Sequence, residues 1–83
     1  MSNRVYIFVP KLGDDPQLNP LRKVFHSPAE AIQGAKTLLI TLGERAGLQG
    51  GSIGVGEQAD HEGVRWLGTW RWSTGGLWSW ETE

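Results

Sequence analysis

The sequence predicts an α+β domain in which a single helix packs against an antiparallel sheet of about four strands. The chain has 83 residues and no cysteine, so one hydrophobic core must stabilise it without disulfides, and residues 1–83 form a single domain. One capped segment has apolar residues at helical spacing. Short β-branched and aromatic runs flank that segment. The predicted order of elements is strand, helix and three strands, with a second strand before the helix left open.

The first strand and the loop after it are marked by composition. The run from Arg4 to Val9 is rich in β-branched and aromatic residues, which predicts a central strand that ends at Pro10. Residues 10–20 contain three prolines and two adjacent aspartates, which predicts a loop. The next segment, Leu21 to His26, is predicted to return as a short strand.

The helix has the clearest boundaries in the sequence. Ser27 is placed to cap the amide of Glu30, Pro28 suits the first helical position, and Glu30 completes a capping box. Gly47 suits the C-terminal cap. We therefore predict a helix from Pro28 to Ala46, whose apolar stripe consists of Ala31, Ile32, Ala35, Leu38, Leu39, Leu42 and Ala46.

The C-terminal third contains all five tryptophans, between residues 66 and 80. Alternation in residues 52–57 predicts a strand with Ile53 and Val55 on one face, and residues 64–72 and 77–81 complete a three-stranded meander. A three-residue loop at 74–76 sets the register of the last hairpin. The tryptophan pairs expected from it are Trp72 with Trp78 and Trp70 with Trp80.

Simple alternation assigns the meander's side chains to two faces. Val64 and Trp66 join the other tryptophans on the face that the helix is expected to cover. The opposite face is predicted to carry Arg65, Leu67, Thr69, Arg71, Leu77, Ser79 and Glu81. One helix of small aliphatic residues cannot cover five indoles, so two or three should be buried and Trp78 and Trp80 should lie at a partly exposed rim.

Charge and motifs narrow the classes of function. A net charge of −1 provides no general attraction to a phosphate backbone. The Asp60, His61, Glu62 triplet lies in a turn, where its side chains diverge, and the glycines at 50–56 precede a strand and not the helix that a phosphate loop requires. The sequence therefore predicts no enzyme, no metal and no cofactor. The first apolar run is too short for a signal peptide or membrane span, which predicts a cytoplasmic protein.

The candidate partner-binding residues fall into three groups. Trp78 and Trp80 are the aromatic anchors of a protein interface, where tryptophan and arginine are enriched. Arg65 and Arg71 could stack on bases, together with aromatic residues of the first strand if their parity permits, or could simply be solvated beside aromatic rings. The adjacent acidic pair of the proline-rich loop, Asp14 and Asp15, is an acidic contact patch or the start of a turn.

These features favour a small protein-binding module that inhibits a larger complex by occluding its surface. In its size, its lack of cysteine, and its order of strand, capped helix and C-terminal strands, the chain resembles the small phage-encoded anti-CRISPR proteins. That resemblance implies binding to a Cas subunit or surveillance complex in the host cytoplasm, which would block target DNA recognition or nuclease recruitment. It transfers no site residues, because no motif is shared.

Two other functions and two assembly states stay open. One alternative is a nucleic-acid-binding or DNA-mimic protein that uses the sheet face or the acidic loop. The other is an antitoxin-like partner of a toxin. A small sheet has edges to cover, so both a monomer and a homodimer are expected states.

Overall fold

The computed structural model describes residues 4–13, 19–47, 50–59, 63–73 and 77–83. These residues form β1 (Arg4–Leu12), β2 (Leu21–Phe25), α1 (Pro28–Ala46), β3 (Gly51–Ala59), β4 (Gly63–Ser73) and β5 (Leu77–Thr82). The predicted α+β class, with one helix on an antiparallel sheet, is confirmed. The sheet has five strands instead of about four, because the short segment after the proline-rich loop does pair.

The strands lie in the order β2-β1-β3-β4-β5, and every neighbouring pair is antiparallel. The helix packs over β1, β2 and β3 on one face of the sheet, which we call the helix face. The opposite face, which we call the outer face, is covered by no other element within the described ranges. No helix in these ranges combines the length and the apolar character needed to cross a membrane.

Strand β1 continues through Pro10 to Leu12, so the prediction that it ends at Pro10 is wrong. The amide of Gly13 donates to the carbonyl of Gly50 at 3.0 Å, which fixes the hydrogen-bonding parity between β1 and β3. Because backbone groups alternate along a strand, the nitrogen of Pro10 points away from β3 and toward the β2 side. The pairing of β1 with β2 ends at Phe8, so within the described ranges no strand lies opposite Pro10 on that side. Proline is tolerated because no ladder hydrogen bond is lost there.

The helix has the predicted bounds and caps. The Ser27 hydroxyl accepts from the amide of Glu30 at 3.3 Å, and the Glu30 carboxylate accepts from the amide of His26 at 3.1 Å. Gly47 has a left-handed φ of 68°, and its amide donates to the carbonyl of Glu44 at 3.2 Å. The sequence therefore predicted both ends of the helix correctly.

The core lies between the helix and β1 and β3. It consists of Tyr6, Phe8, Leu12, Ala31, Ala35, Leu39, Ile53 and Val55. The predicted placement of Ile53 and Val55 on one face is confirmed, and both are fully buried. Phe25 of β2 packs its ring against Tyr6 and Phe8 and against the bare backbone of Gly34 in α1. Because Tyr6 and Phe8 are core residues, neither is available to stack on bases.

A bulge in β4 changes the face on which several side chains lie. Val55 of β3 pairs with Gly68 of β4, and the next residue, Gly56, pairs with Trp66. Leu67 therefore has no partner in β3 and is the extra residue of the bulge. Such a bulge reverses the side-chain alternation along its strand. Trp66 therefore lies on the outer face, and Leu67 packs against the core.

The assignment of faces from simple alternation is consequently wrong before the bulge and right after it. Val64 lies on the outer face with Trp66, opposite Gln58, and not with the other tryptophans. Arg65 lies on the helix face, because it pairs with Glu57, which in turn pairs with Tyr6. Arg71, beyond the bulge, lies on the outer face as predicted. The bulge thus separates the two arginines.

Candidate interaction surfaces

Four tryptophans on the helix face form one aromatic group, the tryptophan cluster: Trp70, Trp72, Trp78 and Trp80. The predicted register is confirmed, since Trp72 pairs with Trp78 and Trp70 with Trp80. The rings of Trp72 and Trp78 are stacked at 5.3 Å and 3°, and Trp70 meets Trp80 at 5.3 Å and Trp78 at 5.9 Å. All four side chains are half-buried, so the expectation that two or three would be buried and the others would lie at a rim is wrong.

The helix is attached to this cluster by polar contacts. The indole nitrogen of Trp70 donates to the carbonyl oxygen of Ile32 at 2.8 Å. The ammonium group of Lys36 lies 5.1 Å from the ring centroid of Trp70 and 5.3 Å from that of Trp78. These ring faces are therefore occupied by a cation of the chain itself. The cluster joins β4 and β5 to the helix and leaves its rim partly open along β5.

The outer face carries apolar side chains from three strands, β2, β1 and β4, which we call the outer stripe: Val24, Val5, Ile7, Val9, Val64 and Trp66. The register sets Val24 beside Val5, and Val9 beside Gly54. Val24 is 59% exposed and Trp66 is 43% exposed. Val5, Val9 and Val64 are partly buried, and Ile7 is 9% exposed. Large apolar side chains left exposed together on one face of a small domain are typical of an interaction site.

Trp66 lies against the backbone of β3 at two glycines. A Cβ atom added at Gly56 would be 3.0 Å from Cε3 of Trp66, and one added at Gly54 would be 3.7 Å from its Cζ3. Because Gly54 and Gly56 have no side chains, the indole of Trp66 can lie close to the backbone of β3. One side of the ring is supported by the sheet, and 43% of the residue remains accessible.

The charged residues of the outer face are mainly basic within the described ranges. Lys11 and Arg22 are exposed at the β1 and β2 side of the outer stripe. Arg71 donates to the Glu81 carboxylate at 2.8 Å, and both side chains are more than half exposed. Such an exposed ion pair adds little to stability. The rim of the outer stripe thus presents a positive surface beside β2.

A polar group lies on the helix face at the end of β1. The Arg4 guanidinium donates to the Glu57 carboxylate at 3.0 Å, and the Glu57 side chain is only 12% exposed. The Tyr6 hydroxyl is buried close to this carboxylate, yet it makes no hydrogen bond of ordinary geometry within the described residues. Burial raises the pKa of Tyr6, and the negative charge and weak hydrogen-bonding approach of Glu57 raise it further. Arg65 lies beside this group.

Replacing Tyr6 with phenylalanine tests the role of this hydroxyl. Because the group is buried without a good partner, Y6F should keep or raise the free energy of unfolding, by up to about 1 kcal/mol. The pKa of Tyr6 is higher in the folded state than in the unfolded state. The free energy of unfolding of the wild-type chain therefore does not change with Tyr6 ionisation below pH 10, and it falls as the pH rises through the raised pKa. Urea unfolding at pH 7 and above pH 10 measures both effects. A loss above 1 kcal/mol at pH 7 would show a real hydrogen bond to Glu57.

The candidate residues from the sequence are dispersed over the molecule. Trp78 and Trp80 lie half-buried in the tryptophan cluster, Arg65 lies on the helix face, and Arg71 lies on the outer face. Asp14 and Asp15 lie outside the described residues, as do Asp60, His61 and Glu62 and the loop at 74–76. The structure adds Trp66, whose role the alternation pattern concealed. Two glycines spaced two apart in β3 were the available signal.

Within the described ranges, no group of three histidine, cysteine or acidic side chains is placed to hold a metal ion. Comparisons with protein-family models, with curated proteins and with solved structures find no match. The functional argument therefore depends on the surfaces themselves.

Proposed function

We propose that this chain is a non-enzymatic protein-binding module that attaches to a larger protein complex through the outer stripe, with Trp66 as the central anchor. The observation that carries this proposal is an indole, 43% exposed, seated on a glycine floor in the middle of an uncovered apolar sheet face. The helix covers the opposite face over β1, β2 and β3. The outer face is covered by no other element within the described ranges, so a partner can reach its apolar side chains.

The geometry of Trp66 suits an energetic hot spot. Tryptophan side chains near the centre of an interface commonly cost 2 kcal/mol or more of binding when truncated. The ring is held in place by Gly54 and Gly56 beneath it and by Val64 beside it. A side chain already fixed in this way loses little conformational entropy when a partner covers it.

The charge beside the outer stripe indicates the chemistry of the partner surface. Lys11 and Arg22 favour a surface with an apolar centre and carboxylates at one edge. The resemblance to anti-CRISPR proteins supplies a specific candidate, a Cas subunit or surveillance complex in the host cytoplasm. A domain attached to such a complex would inhibit it by occupying the surface that target DNA or the nuclease needs.

The proposal is tested by titrating the chain into purified Cas effector complexes of each type, loaded with guide RNA, and by measuring interference against a plasmid in cells. The wild-type chain should bind one complex with micromolar or better affinity and suppress interference. W66A should weaken binding at least 30-fold, which corresponds to about 2 kcal/mol. It should unfold close to wild type, because Trp66 lies outside the core cluster.

Two matched variants separate the anchor from general damage to the sheet. G56A forces Val64 and the ring of Trp66 to move, and should weaken binding as W66A does. G54A places its methyl group in ordinary contact with the ring and should bind like wild type, as should Q33A on the exposed side of α1. Equal binding by W66A and wild type would overturn the use of this surface. If no effector binds, and the chain instead binds DNA with steep salt dependence, the nucleic-acid alternative replaces the proposal.

A further inference from the structure

Within the described ranges, β5 pairs only with β4, and the direction of the backbone groups on its other edge follows residue by residue. The amide of Glu83 donates to the carbonyl of Leu67 at 3.1 Å, and the Leu77 carbonyl accepts from the Ser73 hydroxyl of β4. Odd-numbered residues of β5 therefore point their backbone groups toward β4. By alternation, the amides and carbonyls of Trp78 and Trp80 point away from the sheet.

The two edges of the sheet differ in how well they resist pairing. Strand β2 follows Pro20 and contains two adjacent cations, Arg22 and Lys23, which are typical protections of an edge strand. Strand β5 has neither proline nor lysine, and Leu77 is 74% exposed. Its acidic Glu81 is already engaged by Arg71. The β5 edge is thus the open one.

The centre of β5, Trp78-Ser79-Trp80, reads the same in both directions. In Leu77-Trp78-Ser79-Trp80-Glu81, a two-fold axis through Ser79 exchanges Trp78 with Trp80 and Leu77 with Glu81. An antiparallel pair about this axis sets Trp78 opposite Trp80 of the second copy. These are the residues whose backbone groups point outward, so each pair makes two hydrogen bonds. No like charges are brought opposite each other.

We infer that two copies of this chain form a symmetric dimer by antiparallel pairing of their β5 strands about Ser79. Both helices then lie on the same side of one continuous sheet. The stacked pair Trp72 and Trp78 is extended by Trp80 of the second copy, so the open rim of the tryptophan cluster becomes covered. This inference does not depend on the proposed function, because it uses the free edge of β5, not the outer stripe, and involves only this chain.

The test uses the single residue that lies on the two-fold axis. Ser79 would face its own copy in a non-hydrogen-bonded pair, with Cα atoms about 4.5 Å apart, a separation within the range of roughly 4.4–6.8 Å that a disulfide spans. The chain has no other cysteine. S79C should therefore oxidise to a linked dimer far faster than T41C, a control cysteine on an exposed helix position.

Charge variants at the same position measure the equilibrium. Sedimentation equilibrium of the wild-type chain should give a concentration-dependent mass that approaches twice 9.2 kDa. S79E and S79K each place like charges opposite each other and should weaken self-association at least tenfold, whereas an equal mixture of the two should restore it. S79T serves as the neutral control.

Three results would overturn the inference. The first is a wild-type chain that stays at the monomer mass up to millimolar concentration. The second is dimers that persist unchanged in both S79E and S79K, since these would use another interface. The third is cross-linking of S79C no faster than of T41C. Circular dichroism melts verify that each variant is folded before its mass is interpreted.

Discussion

The G68A variant is expected to lose about 3 kcal/mol of unfolding free energy, at the upper end of the usual cost of overpacking. A Cβ atom at Gly68 would clash with the carbonyl oxygen of Glu81 and lie 2.5 Å from Cζ2 of Trp80. The carbonyl belongs to the backbone of β5, so it cannot rotate away as a side chain can. Relief requires β5 to move away from β4, which disturbs the pairing of Trp70 with Trp80.

Thermal unfolding followed by circular dichroism measures this loss, and for a domain of this size it corresponds to a fall in Tm of roughly 15 °C. The matched control is G54A, in the neighbouring strand, whose added methyl group would meet nothing closer than 3.7 Å. That variant should stay within about 1 kcal/mol of wild type. If both variants cost the same, the loss reflects glycine replacement in a strand, and the close approach of β5 to Gly68 is refuted.

Local signals in the sequence predicted much of this fold. Ser27, Pro28 and Glu30 fix the start of the helix through contacts within one turn, and Gly47 fixes its end, so no distant residue is needed to recognise them. The pairing of Trp72 with Trp78 likewise follows from the length of one short loop. Features of this kind depend only on neighbouring residues, and the structure reproduces them.

The features that sequence reasoning missed depend on contacts between distant strands. Gly68, next to Leu67, is a local mark of a bulge, since a glycine inside a strand often accompanies one. It does not show which residue is extra, because that depends on how β4 pairs with β3. One extra residue moved Trp66 and Arg65 to faces opposite to those expected. Pro10 was misread for a similar reason, since whether a proline ends a strand depends on which side of that strand is paired. The outer stripe could not be recognised until these registers were known.

The tryptophan cluster should depend most strongly on Trp70. Its ring contacts those of Trp78 and Trp80, lies under the ammonium group of Lys36, and donates to the carbonyl of Ile32. Truncating a packed tryptophan costs 3–5 kcal/mol in a full core. Because Trp70 is half-buried, we expect W70A to lose about 3 kcal/mol.

Two further variants divide that loss into its causes. W70F keeps an aromatic ring but removes the indole N–H, so it should lose only about 1 kcal/mol, the typical net value of one hydrogen bond. W72A removes a rim indole whose described ring contact is its stack on Trp78, and it should lose less than W70A. Urea unfolding of all three variants gives the comparison. If W72A costs as much as W70A, the cluster is held mainly by ring stacking along β4 and β5, and the attachment of Trp70 to the helix contributes little.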